Sequence, residues 1–193
     1  MEKKTKIALL ASGSGSNAES ICSYFKAHSS IEVLGLFYNR KNSGAPERVK
    51  KHGIASYYFQ KDEWKTGEMP LKKLKELQVD AIVLAGFLLK IPDTLLEAFP
   101  NKIINIHPSL LPKFGGKGMY GSYVHQAVIE AKEQESGITI HLVNEKFDDG
   151  EKLFQASIPV LEDYSPERLA EKINEIELIH YPRVIENWLN NGN

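Results

Sequence analysis

The chain has 193 residues, 42% of them hydrophobic and 25% charged, with 24 Lys and Arg against 25 Asp and Glu. That length and mix describe an ordinary globular chain with a substantial core; disorder is excluded and two full domains would be cramped. A formal net charge of -1 gives no general attraction to nucleic acid or an anionic membrane, so any phosphate must be held by a local site.

Lys3, Lys4 and Lys6 precede an apolar run at residues 7–11. The run is shorter than a signal-peptide core, leads into Ser-Gly-Ser-Gly, and reads as a buried strand. Residues 12–16 form a tight loop, and 17–27 a helix with Ala18, Ile21, Cys22 and Phe25 at helical spacing. The pattern recurs: strand 31–38, helix 45–52, a short strand near 55–59, and a helix over 69–77 with Pro70 in its first turn. Strands at 81–85 and 103–106 follow, separated by a short helix from about Pro92. This alternation predicts an α/β fold, a Rossmann-like, mostly parallel sheet with helices on both faces. Sites in such sheets gather at the carboxyl ends of the strands. The C-terminal half changes character. Strands at 137–143 and 153–160 are expected as antiparallel additions, followed by a long amphipathic helix from Ser165 to about Asn187, capped by Ser165 with Pro166 in its first turn.

No run approaches the roughly 20 apolar residues of a membrane span. Cys22 is the only cysteine, which excludes an internal disulfide or a cysteine-based zinc cluster and fits a reducing, cytoplasmic setting. The six histidines show no His-x-x-x-His spacing, so no metal is expected.

Gly13-Ser14-Gly15-Ser16-Asn17-Ala18 fits the loose G-x-G-x-x-G/A pattern between strand and helix, which invites a dinucleotide-binding reading. That reading also wants a carboxylate at the end of the second strand, and the strand ends Phe37-Tyr38-Asn39-Arg40. The general physics survives: small residues let backbone approach an anion, and free N–H groups at a helix start favour phosphate. Gly15, Ser16 and Asn17 are therefore phosphate-binding candidates; the bland alternative is a tight turn without a ligand.

Asn105 and His107 end an apolar strand two residues apart, so alternation places them on one face, and Pro108 stiffens the exit. An amide and an imidazole side by side can donate to a developing oxyanion, and the imidazole can move a proton. Asp148, in the turn Phe147-Asp148-Asp149-Gly150, could raise the imidazole pKa and relay a proton if it lay near His107. Taken alone, His107 reads as a satisfied structural histidine and Asp148 as part of an exposed Asp-Gly turn.

Four stretches together change that balance: Ser12 to Asn17, Leu84-Ala85-Gly86-Phe87, Asn105-Ile106-His107-Pro108-Ser109-Leu110-Leu111-Pro112-Lys113, and Asp148-Asp149-Gly150. Their combination resembles the folate-dependent formyltransferase family, in its phosphoribosylglycinamide branch, over nearly the whole chain to Tyr181-Pro182. The Asn-x-His-Pro-Ser-Leu-Leu-Pro signature is specific to formyl-transferring folate enzymes but does not fix the acceptor. The resemblance implies one formyltransferase domain over residues 1–193. Residues 1–108 would form the nucleotide-binding half; 109–193 would complete the folate site and supply the C-terminal helix. It implies transfer of the formyl group of 10-formyltetrahydrofolate to the amine of 5'-phosphoribosylglycinamide in purine biosynthesis, by direct attack through a tetrahedral intermediate. Asn105, His107 and Asp148 would be the catalytic group, and Gly15, Ser16 and Asn17 would hold the acceptor phosphate. Glu177 would contact the acceptor, and Leu88, Leu89, Lys90 and Ile91, with Asn105, would line the folate pocket, largely through backbone.

Small-molecule substrates, no nucleic acid, no membrane and a monomer or homodimer complete the expectation. The chain has no room for the C-terminal RNA-binding domain of methionyl-tRNA formyltransferase or the N-terminal regulatory domain of formyltetrahydrofolate hydrolase. Alternatives are a formyltransferase for another amine, such as an amino sugar nucleotide, and a non-catalytic nucleotide- or folate-binding protein. Three departures stand out. Lys90 sits one position away from the family's usual basic residue, Asp149 replaces a small residue, and residues 114–121 form a longer, glycine-rich run expected as a mobile loop near the acceptor. Near Trp64 and Gly67 the family's folate-tail arginine is absent, with Lys65 as a substitute.

Overall fold

The computed structural model describes residues 4–191, so Lys3, read above as part of the basic lead-in, lies outside the described residues. In chain order the elements are β1 (Thr5–Ala11), α1 (Ser16–Phe25), β2 (Ile31–Tyr38), α2 (Ala45–Lys50), β3 (Ser56–Tyr58), α3 (Lys61–Thr66) and α4 (Glu68–Glu76). They continue with β4 (Ala81–Leu84), α5 (Asp93–Ala98), β5 (Ile103–His107), α6 (Ser122–Glu130), β6 (Glu135–Leu142), β7 (Lys152–Pro159) and α7 (Pro166–Asn190). The seven strands form one sheet in the order β3-β2-β1-β4-β5-β6-β7. β1 to β5 run parallel, whereas β6 and β7 join antiparallel. The fold is thus the expected Rossmann-like, mostly parallel sheet with antiparallel C-terminal additions.

Alternation along β1 explains why both faces must be covered. Ile7, Leu9 and Ala11 enter one core with Ala18, Ile21, Ile173 and Tyr181, while Ala8 and Leu10 enter a second with Trp64, Leu74 and Leu95. A strand apolar on both sides is stable only between two helical layers. The strand order reverses between β1 and β4, so the loops leaving their carboxyl ends diverge and open a crevice. Ser12 ties the two loops together: its backbone N–H donates to Gly86 O at 2.9 Å, and its Oγ accepts from Leu88 N at 2.9 Å.

Two helices were not anticipated. α3 has a capping box in which Gln60 and Glu63 satisfy each other's backbone groups, a signal present in the sequence as Gln-x-x-Glu. α6 directly follows the glycine-rich run and buries Val124, His125 and Val128. The helix expected over 45–52 stops at Lys50, because His52 N turns back to Val49 O at 2.9 Å in a tighter i to i−3 bond. Along α7, Ser165 caps the first turn by accepting from Arg168 N, with Pro166 next. Pro182 lies inside this helix and has no N–H for the carbonyl four residues back, that of Leu178. Ser20 Oγ donates to that carbonyl at 3.2 Å, joining α1 to α7. Tyr181, fully buried beside it, donates to Leu84 O at 2.9 Å and anchors α7 beneath the crevice. Among the described residues no helix is long and apolar enough to cross a membrane.

Candidate active site

Gly15 is the N-cap of α1 with φ 84°, in the left-handed region, and a Cβ there would collide with the backbone of Ala45. Only glycine meets both demands. No side chain caps α1, and the first helical bond runs from Glu19 N to Gly15 O at 2.9 Å. The N–H groups of residues 16–18 therefore lack helical partners and carry the positive end of the helix dipole. The loop is pinned at Gly13 O, which accepts from Ser43 Oγ at 2.8 Å and Gly44 N at 3.2 Å. Ser16 Oγ donates to Asn174 Oδ1 at 3.1 Å, and Asn17 Nδ2 donates to Glu177 Oε2 at 2.8 Å. Glu177 is half-buried by surface, yet its carboxyl sits in a densely packed neighbourhood. That burial raises the carboxyl to about 7, against the lowering effect of the Asn17 hydrogen bond. The other amide atom of Asn17, Oδ1, is buried without a partner.

Asn105 and His107 project from the carboxyl end of β5 on one face, as alternation predicts. The antiparallel pairing sets His141 of β6 opposite Asn105 and Thr139 opposite His107. Asp148 then arrives on a left-handed backbone, φ 54°, a region that Asp tolerates better than most residues. Two residues on, a Cβ at Gly150 would collide with the Leu142 carbonyl, so glycine lets the turn fold back on the end of β6. Gly116 N donates to Asp148 Oδ2 at 2.8 Å. The result is convergence: Asp148 Oδ2 lies 3.5 Å from His107 Nδ1, and Oδ1 lies 3.6 Å from His141 Nε2.

The hydrogen-bond partners constrain the protons. His107 Nε2 lies 2.8 Å from the Phe114 carbonyl, which can only accept, so Nε2 carries a hydrogen. Nδ1 faces the carboxylate, an arrangement that favours a second proton. Burial opposes it and wins: despite Asp148 and the Phe114 carbonyl, the imidazole lies below its ordinary pKa. The expected net upward shift is therefore reversed, because the ring is only 4% exposed and desolvation of its cation outweighs one carboxylate. Burial also pushes Asp148 upward, but hydrogen bonding to His141, the His107 charge and the Gly116 N–H outweigh it and keep the carboxyl below its usual range. His141 Nδ1 lies 2.8 Å from Leu142 O, and its Nε2 stands between Asn105 Nδ2 at 3.2 Å and Asp148 Oδ1 at 3.6 Å. The Asn105 amide carries two N–H groups, so at least one is left for another acceptor.

One cleft of about 950 Å³ joins these groups. Gly15, Ser16, Asn17 and Glu177 line it, as do Asn105, His107 and Asp148, and so do Leu88, Leu89, Lys90 and Ile91. Lys90 Nζ lies 3.8 Å from Asp93 and is half exposed. An adjoining groove of about 290 Å³ shares Leu89, Lys90 and Ile91 and adds Lys61, Trp64 and Lys65, the last paired with Asp62 at 2.6 Å. A separate surface cleft of about 690 Å³, lined by residues 131–135 and 157–159, holds none of these candidates. Sequence reasoning missed Ser12, His125 and His141. His141 alone carried a local signal, a histidine in the largely apolar run Ile138-Thr139-Ile140-His141-Leu142-Val143. Among the described residues no cluster of His, Cys, Asp and Glu has the arrangement to hold a metal ion.

The chain belongs to the formyl transferase family, whose model, described as Formyl transferase, matches residues 5–185. Several of its relatives carry the name phosphoribosylglycinamide formyltransferase. The Bacillus subtilis enzyme of that name is 33% identical over 193 residues, 97% of this chain and 96% of the relative. The chloroplastic one of Arabidopsis thaliana is 40% identical over 191 residues, 95% of this chain and 65% of the relative. The chain spans less than two thirds of the length of the plant relatives it matches. The crystal structure of phosphoribosylglycinamide formyltransferase from Bacillus halodurans superposes with a TM-score of 0.87 at 34% identity, covering 97% of each chain.

Proposed function

We propose that this chain is a phosphoribosylglycinamide formyltransferase, moving the formyl group of 10-formyltetrahydrofolate onto the amine of 5'-phosphoribosylglycinamide in purine biosynthesis. One observation carries the reading: the His107 to Asp148 contact, 3.5 Å, opens into the same cleft as the uncapped start of α1. A phosphate site and an acyl-transfer site in one cavity suit an acceptor bearing both a phosphate and an amine. The cleft is at the upper end of ordinary ligand pockets, roughly 300–1,000 Å³, as two substrates require.

In this mechanism the N–H groups at Gly15, Ser16 and Asn17 hold the phosphate, and Glu177 faces the acceptor. Leu88, Leu89, Lys90 and Ile91 present backbone to the pterin. Bound 10-formyltetrahydrofolate supplies an electrophilic formyl carbon. The free N–H of Asn105 meets the oxyanion formed as the amine attacks. His107 is desolvated and resists a lone proton, but a negative charge developing beside it favours its cation. Its Nδ1, 3.5 Å from Asp148, can take the proton that the attacking amine gives up and turn it toward the oxyanion, while Asp148 stays ionised and balances the cation. The same pair passes the amine's proton toward the departing folate nitrogen. Residues 1–108 supply the phosphate loop and the oxyanion donors, and 109–193 add Asp148, His141 and Glu177, so that residues 1–193 act as one domain. The reading includes a cytoplasmic enzyme, monomer or homodimer, acting on small molecules without nucleic acid or membrane; the near-neutral charge and the buried lone Cys22 support it.

The test is direct. Purified protein mixed with 10-formyltetrahydrofolate and phosphoribosylglycinamide should change the folate absorbance only when both are present. Formylation of an amino sugar nucleotide in place of phosphoribosylglycinamide would replace this reading with its alternative.

A further inference from the structure

His125 lies on α6, 6% exposed, in the wall of the same cleft as Asn105, His107 and Asp148. It belongs to no part of the mechanism above. Its Nδ1 is sealed from solvent and has no hydrogen-bond partner, so the ring meets the cleft through Nε2. A neutral imidazole has one hydrogen to place. Buried N–H groups without acceptors are rarer than under-satisfied acceptors, which puts the hydrogen on Nε2, facing the cavity. Burial, reinforced by the nearby His107, lowers the ring to about 4, so it stays a neutral donor at physiological pH.

The cavity has a use for such a donor. Both ring nitrogens of His107 face other acceptors, the Phe114 carbonyl and Asp148, and Asn105 Nδ2 is engaged at 3.2 Å with His141 Nε2. An oxyanion formed there competes for shared hydrogens, whereas the Nε2–H of His125 has no internal claimant. We infer that His125 is a further oxyanion donor, its Nε2–H directed at the oxygen that becomes negative during formyl transfer. The inference rests on the formyl-transfer reading. It differs from a phosphate or folate contact in being made only in the transition state.

Two variants separate the possibilities. His125→Phe keeps the ring volume without a donor, and His125→Gln can place an amide N–H near the former Nε2 position. The expected result is that His125→Phe lowers kcat roughly 100-fold with both KM values little changed, and that His125→Gln recovers at least about tenfold of that loss. A raised KM with unchanged kcat in His125→Phe, or a Gln variant no better than Phe, overturns the proposal. Should the Phe variant fail to fold, ¹⁵N-histidine NMR of the wild-type protein decides: His125 should be neutral and protonated on Nε2. An Nδ1–H tautomer overturns the assignment. Wild-type protein that transfers no formyl group to any amine would instead remove the formyl-transfer reading itself, while the tautomer measurement would still stand.

Discussion

Asn17 and Glu177, 160 positions apart in the chain, meet beside the phosphate loop: the Asn17 amide donates to a Glu177 carboxyl oxygen at 2.8 Å. The contact ties the first turn of α1 to the middle of α7 and encloses a carboxyl raised by burial to about 7. A second bond one residue closer to the loop, Ser16 to Asn174 at 3.1 Å, reinforces the same junction.

That raised carboxyl makes stability depend on pH. An unfolded Glu ionises near about 4.3, so between that value and about 7 the native state binds more protons than the unfolded one. Stability then falls as pH rises. The contribution is fully present below the unfolded value and is lost as pH passes through the folded one. Wild-type protein should lose thermal stability between about pH 5 and pH 8 relative to Glu177→Gln, whose amide does not titrate. Parallel melting curves for the two proteins across that range would show that Glu177 ionises normally.

The paired imidazole and carboxylate should matter to turnover far more than to binding. His107→Ala and Asp148→Ala are each expected to lower kcat by about 100-fold to 1,000-fold, the usual cost of losing an oxyanion donor or its electrostatic support. Steady-state kinetics with both substrates varied would read this directly. Near-normal kcat in both variants would remove the pair from the chemistry.

At the phosphate loop a negative charge should act on binding instead. Ser16→Glu sets a carboxylate beside the unpartnered N–H groups of α1 and repels a phosphate there. The KM for the nucleotide should rise while the folate KM stays put. An unchanged nucleotide KM would locate the phosphate elsewhere in the cleft.

The strands and the long helix were legible because their signals are local. The apolar run of β1, the polar pair at the end of β5, and Ser165-Pro166 opening α7 each follow from a few neighbouring residues. α6 was not legible because the glycines before it read as a loop, although Val124 and Val128 have helical spacing. His141 was missed for a different reason: its partner Asn105 is chosen by β-ladder register, which depends on how two strands far apart in sequence align.

From the chain alone came the layered α/β architecture and the glycine loop, since periodicity and motif spacing are properties of neighbouring residues; Asn105, His107 and Asp148 became a catalytic group only through the family resemblance of the stretches that hold them. Whether Asp148 reaches His107, which way burial drives that imidazole, and that His125 and Glu177 share the cleft were decided only by the tertiary structure. Distances across the fold and desolvation arise from packing segments that never adjoin in sequence, and an imidazole responds to the sum of those surroundings.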